Sequence, residues 1–158
     1  MSAMNVVFNS YIENDFSDLR EMIFQLYDED PEGLPITEDK IIKTVNENFV
    51  HPEKVQIIMI HDGAKNIGYG IITFLWSNEY GGDVINIDEL YVKKEYRNRR
   101  AASGLIRHLF ESYTNVVLFE LETTPSNQGA LRLYENYGFE VSTNTHLIRA
   151  AEQATPDH

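Results

Sequence analysis

Three consecutive strand-like runs in the middle of the chain restrict its fold more than any other feature. The first two runs, in residues 54–77, are rich in Ile, Val and aromatic residues and flank a turn signal at Asp62–Gly63. This pattern is typical of a β-hairpin. The third run, "DVINIDELYV", follows Gly81–Gly82 and ends at Val92. Consecutive strands usually pair as neighbours, so these residues predict an antiparallel meander.

Helical and strand-like patterns lie on both sides of the meander. Strands are predicted at 5–12 and 115–124 with a last one at 145–150, and helices at 15–30, from 38 and at 101–113 and 126–138. For the last helix we expect Ser126 as N-cap and Gly138 as the terminating residue. The order predicts an α/β (α+β) fold, with a mixed, mostly antiparallel sheet and helices on both faces.

Composition limits the class of protein. The 158 residues favour one domain, assigned to 1–150, with 151–158 as a disordered tail. The chain has no cysteine, which excludes disulfides and thiolate ligands, and its histidines lack ligand spacing, so we expect no metal. The sequence begins without a signal-peptide pattern, and no apolar run is long enough to span a membrane. We therefore expect a cytoplasmic protein without a membrane partner.

Charge is unevenly distributed along the chain. The formal net charge is -12, and residues 1–92 hold 17 of the 25 acidic residues but only 5 of the 13 basic ones. A local basic cluster follows, composed of Lys93, Lys94, Arg97, Arg99, Arg100 and Arg107. Nucleic-acid binding normally needs a basic face, so we expect no nucleic-acid partner. One short basic cluster on an acidic protein favours a small polyanionic ligand, and the acidic remainder attracts cations.

The segment "RNRRAASG", residues 97–104, combines this basic cluster with a predicted helix start. A helix N-terminus offers free amide groups and partial positive charge to a phosphate, and arginines add charge-assisted hydrogen bonds. Small residues at 101–104 would let a ligand approach the backbone. The alternative is a solvated basic loop before an ordinary helix, and this segment alone does not separate the two.

Two motifs resemble those of the GNAT superfamily of acetyl-CoA-dependent N-acetyltransferases. In that family a strand ending in L-x-V leads to a Q/R-x-x-G-x-G/A loop, and N-x-x-A-x-x-x-Y-x-x-x-G-F follows later. The second motif is complete here, in Asn127, Ala130, Tyr134, Gly138 and Phe139. The first is partial, since Arg97 and Ala102 match its ends but Arg100 stands where a glycine is usual. The resemblance covers nearly the whole chain.

This resemblance implies a binding site for acetyl-CoA as cosubstrate. The loop amides and helix start that would hold the pyrophosphate are Arg97, Asn98, Arg99, Arg100, Ala101, Ala102 and Ser103. The strand edge that would pair with the pantetheine arm is Leu90, Tyr91 and Val92. Asn127 matches a residue that holds the arm, and Tyr134 a residue beside the thioester sulfur. If Arg100 needs a left-handed backbone, its side chain has a steric cost that glycine lacks.

The chemistry needs a base and an acid. An alkyl ammonium has a pKa of about 10.4, so it must lose a proton before attacking a thioester, and the leaving thiolate needs a proton donor. Asp88 and Glu89 are the candidate bases, and they are expected on opposite faces of their strand. In polyamine-acetylating relatives an acidic pair is similar, and its first member matches Asp88. Tyr134 is the candidate acid. The alternatives are acidic residues that anchor loops and a core tyrosine.

The acceptor is expected to be a small amine. In this fold the first helices wall the acceptor site, where the chain reads Tyr27, Asp28, Glu29, Asp30 and Glu32. An acidic wall favours a polyamine, an aminoglycoside or a lysine-like group, whereas a solvated helix end is the structural alternative. Trp76 and Tyr80 are further candidates for an aromatic wall. A non-catalytic acyl-CoA-binding or sensory module, and a protein lysine or N-terminal acetyltransferase, remain open, as does a homodimer.

Overall fold

The fold is built on a single mixed sheet. The structure, a computed structural model, describes residues 4–31 and 33–152. Its strands are β1 (Val6–Ser10), β2 (Val55–Asp62), β3 (Lys65–Ser77), β4 (Gly82–Val92) and β5 (Leu118–Leu121). Its helices are α1 (Phe16–Glu29), α2 (Glu38–Val50), α3 (Ala101–Ser112) and α4 (Gln128–Asn136), with short 3₁₀ turns at Glu13–Asp15 and Lys94–Tyr96.

The strands lie in the order β1-β2-β3-β4-β5. Neighbours from β1 to β4 are antiparallel, and β5 is parallel to β4. The antiparallel meander and the later parallel crossover predicted from the sequence are therefore confirmed. None of the described helices combines the length and the apolar character needed to cross a membrane.

Helices cover both faces of the sheet, as expected. On one face α1 and α2 pack Leu19 and Ile41 into a cluster with Tyr69 of β3. On the other face α3 packs Leu105 against a second cluster that includes Ile85 of β4. The alternation of apolar residues in β3 and β4 supplies both clusters, because successive side chains in a strand point to opposite faces.

A β-bulge in β4 interrupts this alternation. Ile87 pairs with Ile72 and Glu89 pairs with Ile71, so Asp88 has no partner in the β3 ladder. Before the bulge, Ile87 packs in the α3 cluster, whereas after it the Glu89 side chain bonds Tyr27 of α1. A bulge adds one residue to one strand and re-aims the side chains that follow. Simple alternation is therefore wrong at this acidic pair.

Strands β4 and β5 separate beyond the bulge. Their pairing runs from Val84 to Ile87 on β4 and stops at Leu121 on β5, whereas pairing of β4 with β3 continues to Val92. The β5-facing edge of residues 88–92 is therefore free of strand partners among the described residues. This free edge borders the candidate site.

Helix α4 begins one residue later than expected. The side chain of Asn127 accepts a hydrogen bond from the Ala130 amide at 3.1 Å, so Asn127 is the N-cap and the prediction of Ser126 was wrong. The predicted terminator is confirmed, since Gly138 has φ of 91° and the Phe139 amide bonds the Tyr134 carbonyl at 3.1 Å. This turn is the usual way in which a glycine ends a helix.

The last predicted strand, 145–150, is wrong. These residues form no strand, and Leu147 and Ile148 are 86% and 87% exposed. Strand propensity acts only where a ladder partner and a packing surface exist, and this segment has neither within the described chain. Of the predicted tail, residues 151 and 152 lie in a turn, and 153–158 lie outside the described residues.

Candidate active site

A cavity of about 500 Å³ lies where β4 and β5 separate. Its walls come from the end of α1, the bulge in β4, the segment after β5 and one side of α4. The polar lining residues are Tyr27, Asp30, Asp88, Glu89, Glu122, Thr123, Thr124, Asn127 and Tyr134, and the apolar ones are Leu26, Ile87, Leu90 and Ala130. The cavity therefore brings together both candidate bases, the candidate acid and part of the predicted acceptor wall.

The cavity is strongly acidic. Four of its lining residues carry carboxylates, namely Asp30, Asp88, Glu89 and Glu122, and none of those that the structure describes is Lys or Arg. Such a concentration of one sign of charge attracts ligands of the opposite sign. The arrangement favours a cationic ligand.

Glu89 is the most constrained of these carboxylates. Tyr69 donates a hydrogen bond to its Oε1 at 2.7 Å, and Tyr27 donates one to its Oε2 at 2.9 Å. Burial raises the pKa of Glu89, the two phenol hydrogen bonds act in the opposite direction, and the charge of Asp88 raises it further. The net shift is upward.

Asp88 is exposed, and its side chain has no hydrogen-bond partner among the described residues. Partial desolvation by the cavity walls and the negative charge of Glu122 raise the pKa of its carboxyl group. An unpartnered carboxylate with a raised pKa is well suited to accept a proton.

Tyr134 reaches the cavity from α4. Its ring packs edge-on against Phe139 with 5.7 Å between centroids, and this contact depends on the turn at Gly138. Burial raises the pKa of the Tyr134 phenol above its usual value. The hydroxyl group is therefore protonated at neutral pH and can donate a proton or a hydrogen bond.

The loop between β4 and α3 has a distinctive backbone. Asn98 and Arg100 have φ of 62° and 66°, in the left-handed region, which confirms the conformation considered for Arg100. Within the described chain, no acceptor pairs with the amides of residues 98–103, and Arg99 and Arg100 form no ion pair. Free amides and unpaired guanidinium groups together suit a phosphate.

Arg97 differs from its expected role at this loop. Its amide bonds the Lys94 carbonyl at 3.2 Å, and its guanidinium donates to both carboxylate oxygens of Glu29 at 2.8 Å and to the Val92 carbonyl at 2.7 Å. The guanidinium also lies 5.3 Å from the Tyr91 ring centroid. Arg97 therefore links the loop to α1.

The small residues at the start of α3 also allow close packing against the rest of the protein, besides the ligand approach expected from the sequence. Ala101 is buried, and a side chain at Gly104 would approach the Phe8 ring to 2.9 Å. Ser103 donates its hydroxyl to the Arg100 carbonyl at 3.2 Å, and Ala102 is partly buried. The absence of a side chain at Gly104 therefore makes room for the Phe8 ring.

Other predicted residues separate into two groups. Leu90 lines the cavity, whereas the Tyr91 hydroxyl bonds Gln25 at 3.0 Å and Val92 is buried. In the acceptor wall, Tyr27 and Asp30 line the cavity, but Asp28, Glu29, Trp76 and Tyr80 do not. Glu32 lies outside the described residues.

Sequence reasoning missed Glu122 and Tyr69. Glu122 directly follows β5, the strand parallel to β4, and ligands commonly bind at the carboxyl ends of parallel strands, so its position was a usable signal. Tyr69 gave no such signal, because a fully buried tyrosine in a strand normally indicates core packing.

Comparisons with known proteins agree with this geometry. Among solved structures, a possible acetyltransferase from Clostridium difficile 630 is 20% identical with a TM-score of 0.79, covering 93% of this chain and 99% of that chain. An aminoglycoside acetyltransferase from an uncultured soil metagenomic sample, in complex with sisomicin, is 14% identical with a TM-score of 0.71, covering 93% and 97%. A Trypanosoma brucei acetyltransferase is 16% identical with a TM-score of 0.70, covering 92% and 100%.

At these identities the solved structures establish a shared fold. No curated protein sequence matched the chain. The family profile described as "Acetyltransferase (GNAT) family" matches residues 20–139, which is most of the sequence and includes the bulge, the loop and α4. The chain belongs to the GNAT acetyltransferase family.

Proposed function

We propose that this protein transfers an acetyl group from acetyl-CoA to a primary amine of a small cationic substrate, of polyamine or aminoglycoside type. The observation that carries this proposal is the cavity at the separation of β4 and β5, which combines four carboxylates with a protonated phenol. The relative solved with sisomicin is an aminoglycoside acetyltransferase, which supports the same class of acceptor.

The loop before α3 fits the anionic part of acetyl-CoA. The amides of residues 98–103 have no acceptor in the described chain, and Arg99 and Arg100 are exposed and unpaired. These groups would hold the pyrophosphate. The free edge of residues 88–92 would pair with the amides of the pantetheine arm, as an added strand does. Acetyl-CoA, when bound, would supply the thioester whose acetyl group is transferred.

The acidic side of the cavity would hold the acceptor. Asp30, Glu89 and Glu122 border a space whose described lining holds no Lys or Arg, and a basic side chain, His146, contacts one of these carboxylates, with its Nε2 3.2 Å from Glu122 Oε1. Burying a cationic amine is costly unless carboxylates compensate it. A substrate with several ammonium groups matches this site better than one with a single charge.

Asp88 and Tyr134 supply the proton transfers in this proposal. Asp88 takes a proton from the acceptor ammonium, directly or through water, because its oxygens have no hydrogen-bond partner among the described residues. Tyr134 donates its phenol proton to the departing thiolate. Asp88 must be ionised to act, so activity should fall as the pH is lowered through its raised pKa.

The proposal predicts amine-dependent release of CoA. Thiol release should be measured with saturating acetyl-CoA and a panel of diamines, triamines, aminoglycosides and lysine peptides. Tyr134→Phe should lower kcat about a hundredfold, because a general acid contributes on that order. Tyr137→Phe is the matched control, since Tyr137 adjoins the same helix but does not line the cavity, and it should retain activity.

One observation favours a second function, a non-catalytic acyl-CoA-binding or sensory module. The guanidinium of Arg97 bonds Glu29 instead of remaining free at the loop. Calorimetry combined with the thiol-release assay separates the two functions. Tight binding of acetyl-CoA without turnover of any amine would contradict the proposed enzyme activity. Absence of binding at millimolar concentration would contradict both.

A further inference from the structure

The Glu89 carboxylate is held by two phenols that come from different elements. Tyr69, on β3, is 0% exposed and donates to Oε1 at 2.7 Å. Tyr27, on α1, donates to Oε2 at 2.9 Å. Each carboxylate oxygen therefore has one O–H donor and keeps a further lone pair. The two donors hold both oxygens of the carboxylate while Glu89 still lines the cavity.

The ionisable groups around Glu89 offer it no positive charge. Tyr27 lies on α1 and Asp30 directly after it, Tyr69 lies on β3 and Asp88 on β4, and Tyr91 of β4 packs beside Tyr69. Glu122 and Tyr134 lie across the cavity. Of the lining residues that the structure describes, none is a Lys or Arg that could pair with this carboxylate.

A largely buried carboxylate with no cation would normally become protonated, because burial disfavours the charged form. Short hydrogen bonds from O–H donors oppose this effect, since hydrogen bonds to an ionised group are stronger than those between neutral groups. Tyr69 and Tyr27 are the only donors to the Glu89 side chain among the described residues.

We infer that Tyr69 and Tyr27 are positioning residues, which keep Glu89 ionised and correctly aimed so that it can bind the acceptor ammonium. This inference rests on the proposed function. It gives the two adjacent acids different roles. Asp88, which has no hydrogen-bond partner in the part of the chain that the structure describes, handles the proton, and Glu89, which is held on both oxygens, binds the cation. Tyr69 is fully buried and acts through Glu89, whereas Tyr27 bonds Glu89 and also lines the cavity, so Tyr69 is the cleaner test of a positioning role.

Phenylalanine substitutions test the two phenols with little change of volume. Tyr69→Phe and Tyr27→Phe should each raise the KM for a triamine about tenfold and change kcat little. Loss of a hydrogen bond to the Glu89 carboxylate should raise its pKa by about one unit. The acidic limb of the pH profile of kcat/KM should therefore shift to higher pH by about one unit. Tyr113→Phe is the control, because it removes a partly buried phenol that bonds Gln56 and has no contact with Glu89.

A second measurement does not depend on activity. Carbon-13 NMR of glutamate-labelled protein, with Glu89→Gln to assign the resonance, should give a higher Glu89 pKa in both phenylalanine variants than in the wild type and in Tyr113→Phe. If Tyr69→Phe fails to fold, Tyr27→Phe on the peripheral helix α1 tests the same role. A higher Glu89 pKa without any amine acetylation by the wild type would support the positioning role and overturn the proposed function. An active wild type with unchanged pKa, KM and pH limb in the variants would overturn the positioning role alone.

Discussion

Arg100 holds a backbone conformation that glycine adopts without strain. Its φ of 66° and ψ of 17° place it in the left-handed region directly before α3. For a residue with a Cβ this region costs roughly 1–2 kcal/mol. Arg100 pairs with none of the described acidic residues, so the strain is not offset by an ion pair.

Arg100→Gly should therefore raise the free energy of unfolding by roughly 0.5–1 kcal/mol, since relief of strain exceeds the added flexibility of the unfolded chain. It should also weaken acetyl-CoA binding severalfold through loss of a charge beside the phosphates. Denaturant unfolding and calorimetry measure the two effects. Arg99→Ala is the control, because it removes the same charge without the left-handed backbone, and an equal gain in its stability would contradict the strain argument.

At the residue scale, the sequence pointed to Asp88, Glu89 and Tyr134, which all line the cavity, but not to the orientation of the acidic pair. Asp88 and Glu89 stand together in a strand-like run, and that pattern is local. The bulge at Asp88 depends on how β4 bends against β3 and away from β5, which no local pattern encodes. The hydrogen bond from Tyr69 to Glu89 could not be predicted for the same reason.

At the scale of elements, α4 carries both a cap and the candidate acid. Asn127 accepts the Ala130 amide at its start, and Tyr134 lies two turns later. The helix has only nine residues, so its cap contributes a large share of its local stability. The family resemblance implies a second role for Asn127, a contact with the pantetheine arm of acetyl-CoA.

Asn127→Ala should destabilise the protein by about 1 kcal/mol, because it removes the cap acceptor. Asn127→Ser should keep most of the stability, because serine also caps, yet it should bind acetyl-CoA more weakly if the amide holds the arm. Ser126→Ala should stay within about 0.5 kcal/mol of the wild type, because Ser126 does not cap. Denaturant melts give all three values, and a larger loss in Ser126→Ala than in Asn127→Ala would contradict the assignment.

Elements were predictable where their pattern was long. The meander and α1 to α3 follow from periodicity, and their ends differ from the predictions by a few residues at most. The strand after α3 was predicted over ten residues and has four, and its carboxyl end is short because β5 pairs with β4 only up to the bulge. The segment 145–150 had strand composition but no ladder to join. The tertiary fold decides which strand partners are present, whereas strand propensity is a property of the local sequence.

At the scale of the whole molecule, opposite charges are separated along the surface. The chain carries a net charge of -12, and its acidic cavity lies on one side of β4. Arg99 and Arg100, which form no ion pair with the described residues, lie in the loop beyond that strand. This separation would allow two oppositely charged substrates to approach different parts of one site. Long-range attraction of this kind weakens as salt shortens the screening length.

We predict that kcat/KM for a triamine falls about tenfold between roughly 20 and 300 mM salt at saturating acetyl-CoA, because screening removes long-range attraction. A monoamine of similar length should fall only about twofold, since it carries one charge. Steady-state kinetics across this salt range measure both. Equal salt dependence for the two amines would contradict a role for the acidic cavity in attracting the acceptor.

The bulge places Asp88 outside the β3–β4 pairing, so its side chain can serve the cavity without a role in the sheet. Every other residue from Gly82 to Val92 has a partner in the β3 ladder, so changing it alters a cross-strand pair. Asp88 has none, and its side chain opens into the cavity. Position 88 can therefore exchange one functional group for another while the sheet keeps all its pairs. A fold with such a position can change the group that handles the proton by a single substitution, without first having to rebuild its core.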